Sequence, residues 1–197
     1  MNKKSIDDVL ILSIFPSVRG FGFALFQGAW IPFDWGFRHV QGDRNRCCIE
    51  KVRKLIDEYA PDVLLLEDCA GEGSRRAPRV ETLIDDIAAI ATKKGITVER
   101  YSRFQIQECF AEYDAVTKYE IAQAISQSLP EFPPQLPPER KIWLPEDYRM
   151  SIFDAVSLIF THFYFQVIRP NAASIASTGT SEKAGSDNQK SSGRQAS

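Results

Sequence analysis

Hydrophobic positions change their spacing several times along the chain, and each change marks a different predicted element. Residues 9–15 (VLILSIF) form one continuous apolar run, which is typical of a strand buried on both faces. Pro16 and Ser17 then predict a turn, and residues 20–26 (GFGFALF) and 30–40 predict two further strands. Because the connections are short, we expect these three strands to form an antiparallel meander.

The spacing becomes helical in the next segment and then alternates with short apolar runs. Residues 49–59 predict an amphipathic helix that ends before Pro61, and residues 63–66 predict a buried strand that closes at Glu67. A second amphipathic helix is predicted over residues 80–91, followed by a fifth strand over residues 96–101. The segment therefore predicts two α/β crossovers.

The last third of the chain predicts helices separated by a rigid loop. Thr117 and Glu120 have the spacing of a capping box and predict a helix start, whereas the prolines of residues 129–145 predict a stiff connector. Two P-x-x-P spacings in this connector are also compatible with docking to an aromatic groove. Asp147 is predicted to cap a last apolar helix. Small and polar residues dominate after Arg169, which predicts a disordered tail.

The order β-β-β-α-β-α-β followed by helices predicts an α/β fold. We expect a mixed five-stranded sheet with helices on both faces, because a meander and two crossovers combine antiparallel and parallel pairing. The predicted domain covers residues 6–169, and the predicted tail covers residues 170–197.

Composition and charge indicate which partners (nucleic acid, zinc or a membrane) the chain is suited to bind. The net charge of −2 lacks the basic excess that strong nucleic-acid binding requires, so such binding needs a local patch. Arg75, Arg76 and Arg79 are the densest candidate, with a solvated helix start as the alternative. The four cysteines form no C-x-x-C pair, which argues against zinc. The polar start and the short apolar runs predict a cytoplasmic protein without a membrane span.

Two acidic residues occupy unusual places in this pattern. Glu67 follows four apolar residues at the end of a predicted strand, and Asp154 lies within an apolar helix. Sites of open α/β sheets lie beyond the carboxyl ends of the strands, so both acids are candidates for a functional cleft. From these residues alone a structural role is favoured, in which Glu67 pairs with a nearby arginine and Asp154 caps or pairs at the helix surface.

Several short segments together resemble the RuvC Holliday-junction resolvases, which have a ribonuclease H-like fold. The matching segments are a Phe15-Pro16-Ser17 strand end, Gly22-Phe23-Ala24, the apolar run before Glu67, Thr117-Lys118, Ser151-Ile152-Phe153-Asp154-Ala155 and Thr161-His162. The resemblance covers roughly residues 9–165. It implies carboxylates at positions 15, 67, 151 and 154, which hold two divalent ions that cleave a phosphodiester. It also implies a dimer that acts on branched DNA.

This chain departs from the implied set at two of the four positions, where it has Phe15 and Ser151. Glu67 and Asp154 remain as candidate catalytic residues and as candidate ligands of Mg²⁺ or Mn²⁺, if the protein is active. Lys118 is either an active-site lysine of the resemblance or an ordinary first-turn residue. Asp68, Cys69 and Ala70 stand where the resemblance implies an aromatic wedge.

Three functional hypotheses follow from these residues. The first is a RuvC-like protein with impaired catalysis that binds branched or structured DNA, or a protein partner. The second is a structure-specific, metal-dependent endonuclease with a reduced ligand set, and the third is a sugar-kinase or actin-like ATPase. The third is disfavoured because the first loop lacks Asp-x-Gly and the chain is too short for two lobes.

Overall fold

A computed structural model describes residues 8–70, 76–141 and 143–170, and within them it confirms the predicted mixed five-stranded sheet. The strands are β1 (Leu10–Ser17), β2 (Gly20–Gln27), β3 (Ile31–His39), β4 (Val63–Glu67) and β5 (Thr97–Tyr101). Their order in the sheet is β3-β2-β1-β4-β5. The first three strands pair antiparallel, and β4 and β5 extend the sheet parallel to β1.

Helices cover both faces of this sheet. They are α1 (Arg44–Tyr59), α2 (Pro78–Lys93), α3 (Arg103–Phe110), α4 (Lys118–Ser128) and α5 (Met150–Phe163). Side chains of β1 alternate between two hydrophobic clusters: Leu12 and Ile14 pack with α1 and α2, whereas Ile11 and Phe15 pack with α3, α4 and α5. The continuous apolar run of β1 is explained by this burial on both sides.

Helix α5 is the central helix of the second layer. Thirteen of its fourteen residues are buried, and a π-helical turn (Tyr164–Ile168) continues it. By length and composition the stretch Met150–Ile168 is apolar enough to cross a membrane, but 67% of its apolar window is buried inside the domain. Its hydrophobicity is therefore used in packing against the sheet.

The first turn of α5 lies in direct contact with β2 at Gly22. A Cβ atom at this position would lie 2.0 Å from the carbonyl oxygen of Ser151, so only glycine permits the approach. Gly22 is also the cross-strand partner of Phe15. This contact therefore places the start of α5 beside the carboxyl end of β1.

Three local predictions differ from the structure. The turn predicted at Pro16–Ser17 lies at Val18 and Arg19 instead, because β1 continues to Ser17, which pairs with Gly20. Helix α3 was not predicted, although Ser102 and Gln105 form a capping box that marks its start. Asp147 is not the cap of α5, since its carboxylate accepts hydrogen bonds from the backbone and guanidinium of Arg149.

Strand β3 forms one edge of the sheet. Trp35 and Phe37 are half-buried against the second layer, whereas Ile31 and Phe33 are exposed. A register shift interrupts the pairing of β2 with β3 between Leu25 and Phe26, where Phe26 pairs with Pro32. The aromatic residues of this segment therefore divide between sheet packing and an open edge.

The predicted connector before α5 is irregular apart from a single 3-10 turn (Pro133–Gln135), in agreement with its prolines. Phe132 anchors it, because its side chain is fully buried against Phe26, Trp35 and Phe153. Beyond Pro170, the predicted disordered tail lies outside the described residues.

Candidate functional site

Three elements meet where β1 and β4 end. Parallel neighbours have their carboxyl ends at the same edge of a sheet, so Phe15 near the end of β1 and Glu67 at the end of β4 lie on one side. Helix α5 reaches this edge through its contact with Gly22 and brings Asp154 there. All four positions implied by the resemblance thus belong to this one edge.

Phe15 occupies the middle of the site as a buried aromatic ring. Its side chain is 4% exposed and belongs to the hydrophobic cluster around α5. The guanidinium carbon of Arg76 lies 4.4 Å from the ring centroid, and the Lys118 Nζ atom lies 5.3 Å from it. Both cations are within the range of cation–π attraction, so the ring lies beside two positive charges.

Glu67 is bound to the first of these cations. Arg76 Nε donates a hydrogen bond of 2.5 Å to Glu67 Oε2, and only 7% of the glutamate side chain is exposed. Burial raises the pKa of Glu67, and the charge and hydrogen bond of Arg76 oppose that rise. Arg76 therefore stabilises the charged form of a carboxylate that its surroundings disfavour.

Asp154 is bound to the second cation. Lys118 Nζ donates a hydrogen bond of 2.8 Å to Asp154 Oδ2 and lies 3.4 Å from Glu146 Oε1. Burial disfavours the charged form of Lys118, but the two carboxylates outweigh this effect and raise its pKa. Lys118 lies in the first turn of α4, positioned by the capping box of Thr117 and Glu120. This first-turn lysine thus joins Asp154 and Glu146 in one cluster of charges.

Ser151 forms a local hydrogen bond with its hydroxyl at the start of α5. Its side chain is buried, and Oγ donates a hydrogen bond of 2.6 Å to the backbone carbonyl of Tyr148. This bond closes the turn that leads into α5. Ser151 therefore has a local structural role in the same position where the resemblance implies a carboxylate.

This donor set does not fit a two-ion centre. Such a centre needs several carboxylate oxygens that converge on both cations, and here two carboxylates each bind a side-chain cation. Within the described residues no group of three His, Cys, Asp or Glu side chains is placed to hold a metal ion. Glu67 and Asp154 thus lie where a pair of metal ligands would lie. Each is instead in an ion pair with a side chain of the protein, Glu67 with Arg76 and Asp154 with Lys118.

The remaining residues predicted for the site do not contact Glu67 or Asp154, or they lie outside the described part of the chain. Arg79 is exposed at the start of α2, where Nη1 donates a hydrogen bond of 2.7 Å to Asn45 Oδ1 on α1. Arg75 lies outside the described residues. Glu146, which contacts Lys118, was missed from the sequence because it lies in the irregular connector, where no periodicity marks it.

The Arg76–Glu67 pair predicts a pH-dependent stability effect. Replacing Arg76 with methionine leaves Glu67 buried without its partner, which raises the pKa of Glu67 further above its value in the unfolded chain. Stability is then retained while Glu67 is protonated and lost as pH rises through its folded-state pKa. We expect a loss of roughly 3–5 kcal/mol at pH 8, and far less at pH 4, in urea unfolding followed by circular dichroism.

The matched control is the Arg76→Met, Glu67→Gln double variant, which removes the buried charge together with its partner. It is expected to be more stable than Arg76→Met at pH 8 and to lack the additional pH dependence. Equal losses for Arg76→Met at pH 4 and pH 8 would contradict the assignment of Arg76 as the counter-ion of Glu67.

Comparisons with known proteins agree on the fold of this chain. No protein-family model matches the sequence, and no curated protein matches it significantly. The Thermus thermophilus RuvC structure superposes with a TM-score of 0.58 at 15% identity, covering 80% of this chain and 95% of RuvC. The same RuvC in complex with a Holliday junction substrate gives a TM-score of 0.56 at 14% identity, with the same coverage of 80% and 95%.

A eukaryotic structure gives a comparable result. The yeast mitochondrial Holliday junction resolvase Ydc2 superposes with a TM-score of 0.56 at 10% identity, covering 87% of this chain and 85% of Ydc2. The predicted resemblance is therefore confirmed at the level of the fold: this chain has the RuvC-like, ribonuclease H-like architecture. Sequence identities this low support similarity of the fold and do not establish a shared function.

Proposed function

We propose that this protein binds branched or structured nucleic acid through a RuvC-like scaffold and does not cleave it by two-metal catalysis. The ion pairing of both remaining acids carries this proposal. Arg76 and Lys118 neutralise Glu67 and Asp154 beside the buried ring of Phe15, at the edge where a nuclease of this fold would need free carboxylates. The function that remains for the scaffold is recognition.

Exposed arginines at the same edge support nucleic-acid binding despite the overall charge of −2. We call Arg19, Arg38 and Arg79 the basic rim. Arg19 lies in the β1–β2 turn, Arg38 lies near the end of β3, and Arg79 lies in the first turn of α2. Within the described part of the chain, none of the three forms an ion pair with a carboxylate.

The geometry of the basic rim fits contacts with a phosphate backbone. The β1–β2 turn and the carboxyl ends of β3 and β4 lie at the same edge of the sheet, so the rim lies at the edge that carries the Phe15 site. Helices α1 and α2 also begin at this edge, where Arg79 joins them through Asn45. Helix N-termini carry partial positive charge and add to the attraction for phosphates.

A gel-shift panel tests the proposal. Labelled four-way junction, fork, duplex and RNA–DNA hybrid are titrated at 50 mM salt in EDTA and again in Mg²⁺. We expect binding to the junction or fork in both buffers, with products of cleavage absent in Mg²⁺. Lack of affinity for every substrate at low salt would overturn the nucleic-acid assignment. Metal-dependent nicking that is lost in Glu67→Ala and Asp154→Ala would favour the endonuclease with a reduced ligand set.

The basic rim predicts a specific salt dependence. Arg79→Ala should weaken binding of all substrates alike and lower the slope of log K against log salt by about 1, because one phosphate contact is lost. Lys93→Ala is the matched control, since it removes one positive charge at the last turn of α2, at the opposite end of that helix. Equal effects of the two substitutions would show that the rim is not the binding surface.

A further inference from the structure

We propose that a cavity beside the Phe15 site takes one unstacked base of the bound nucleic acid. This inference rests on the proposed function and names a contact that the function would use. The cavity measures about 190 Å³ and lies between the β1–β2 turn and the segment that leads into α5. Its walls include Val18, Arg19, Glu146, Tyr148 and Ser151.

The size of the cavity limits its occupant. Pockets for drug-sized molecules usually exceed ~300 Å³, whereas this one has room for roughly six water molecules at ~30 Å³ each. Duplex is far too wide to enter it. A single planar ring system extruded from a loop, a fork arm or a branch point matches the available space.

Tyr148 supplies an aromatic surface for such a ring. Its side chain is 42% exposed although it packs against Phe37 and His39 at centroid distances of 5.2 Å. These two neighbours hold the tyrosine ring in place, and its backbone carbonyl accepts the Ser151 hydroxyl. Base–aromatic stacking of this kind tolerates any base sequence, because every base has a flat face.

The charges around the cavity fit a nucleotide within a strand. Arg19 lines the cavity and belongs to the basic rim, so it is available for the adjoining phosphate. Glu146 lines the opposite segment and presents a carboxylate, which accepts hydrogen bonds from the amino groups of bases. Each carboxylate of the cavity wall also has a cationic neighbour, because Glu146 lies 3.4 Å from Lys118 Nζ and Asp147 accepts hydrogen bonds from Arg149.

The cavity and the ion-paired site are neighbours that share Glu146. Glu146 contacts both the cavity and Lys118, while Ser151 contributes both to the cavity wall and to the first turn of α5. A strand that contacts the basic rim at Arg19 would thus lie beside the cavity, which Arg19 lines. The cavity and the arginines of the basic rim would then contact the same strand.

A forked DNA with 2-aminopurine in its single-stranded arm tests the proposal. Binding is measured by anisotropy of a distant label, and base insertion is measured by a change in 2-aminopurine emission. Tyr148→Ala should abolish the emission change and weaken binding by roughly 5- to 150-fold, whereas Tyr148→Phe should retain both signals. Tyr113→Ala is the matched control, because Tyr113 is 53% exposed and lines a different surface groove, beside Trp30.

The two readouts separate failure of the pocket from failure of the proposed function. Binding by anisotropy with an emission signal that Tyr148→Ala leaves unchanged would overturn the pocket and retain the nucleic-acid function. Absence of binding by anisotropy would overturn both. The 2-aminopurine nucleoside monophosphate is titrated alone as a further arm: tight binding of this nucleotide without insertion of the base in forked DNA would also overturn the proposal, in favour of a free nucleotide.

Discussion

The triple variant Phe15→Asp, Ser151→Asp, Arg76→Gln is expected to bind Mn²⁺, whereas the wild-type protein is expected to bind none below about 1 mM. In the wild type, a phenyl ring offers no oxygen at the centre of the site, and Glu67 is held by Arg76. The variant supplies carboxylates at positions 15, 67, 151 and 154, and it releases Glu67 from its guanidinium. Isothermal titration of Mn²⁺ and Mg²⁺ measures the difference.

The double variant that keeps Arg76 is expected to have a lower affinity for Mn²⁺ than the triple variant. Phe15→Asp, Ser151→Asp alone should bind Mn²⁺ roughly 10- to 150-fold more weakly than the triple variant. The ion has to displace a charge-assisted hydrogen bond of about 1.5–3 kcal/mol from Glu67 in the double variant. Equal affinities in the double and triple variants would show that Arg76 does not compete with metal for Glu67.

Controls for this series separate charge from folding. The variant with asparagine at positions 15 and 151, together with Arg76→Gln, keeps the shape of the side chains without the charges and should bind no metal. Thermal unfolding with and without Mn²⁺ covers the case in which the variant folds poorly alone. A metal at 100 times its Kd adds ~2.7 kcal/mol of stability, which is readily detected. Failure of Mn²⁺ to stabilise the triple variant would contradict the prediction.

Gly22→Ala is expected to cost at least about 3 kcal/mol of folding free energy. The added Cβ would lie 2.0 Å from the carbonyl oxygen and 2.3 Å from the carbonyl carbon of Ser151. Both are backbone atoms of a buried helix, so the clash is relieved only if α5 moves away from β2. Urea unfolding measures the loss, and any nucleic-acid binding should fall in parallel because the first turn of α5 carries Ser151, which lines the cavity beside the site.

Gly36→Ala is the matched control for this prediction. It adds the same methyl group to the neighbouring strand, where the nearest atom is a ring carbon of Phe23 at 3.3 Å. A side chain can shift by a few tenths of an ångström, so the change should stay within about 1 kcal/mol. Similar losses for the two glycines would refute the role of Gly22 in seating α5.

Much of the fold could be predicted because burial leaves a pattern in the sequence. Strand β1 is buried on both faces and therefore reads as an unbroken apolar run, and helices α1 and α2 bury one face and show helical spacing. Helix α3 escaped prediction because it has eight residues with only Ile106, Cys109 and Phe110 buried. Periodicity over so short a segment is weak, and its capping box was the one usable signal.

The site was predictable only in part. Glu67 and Asp154 stand out in the sequence as acids within apolar segments. Their partners cannot be identified from the sequence, because Arg76 lies 9 residues from Glu67 and Lys118 lies 36 residues from Asp154. Which arginine of the predicted patch reaches Glu67 depends on how the chain returns from the end of β4 into α2. The structure selects Arg76 and leaves Arg79 on the surface beside Asn45.

The edge strand β3 has a consequence for how two copies of this chain could associate. An unpaired edge invites another strand to extend the sheet, but Pro32 has no N–H to donate, and the register shift beside it bends the ladder. Continuous strand addition is therefore blocked in the first half of β3, next to exposed Ile31 and Phe33. A symmetric dimer of this chain is accordingly not expected to form by continuous strand pairing through the first half of β3.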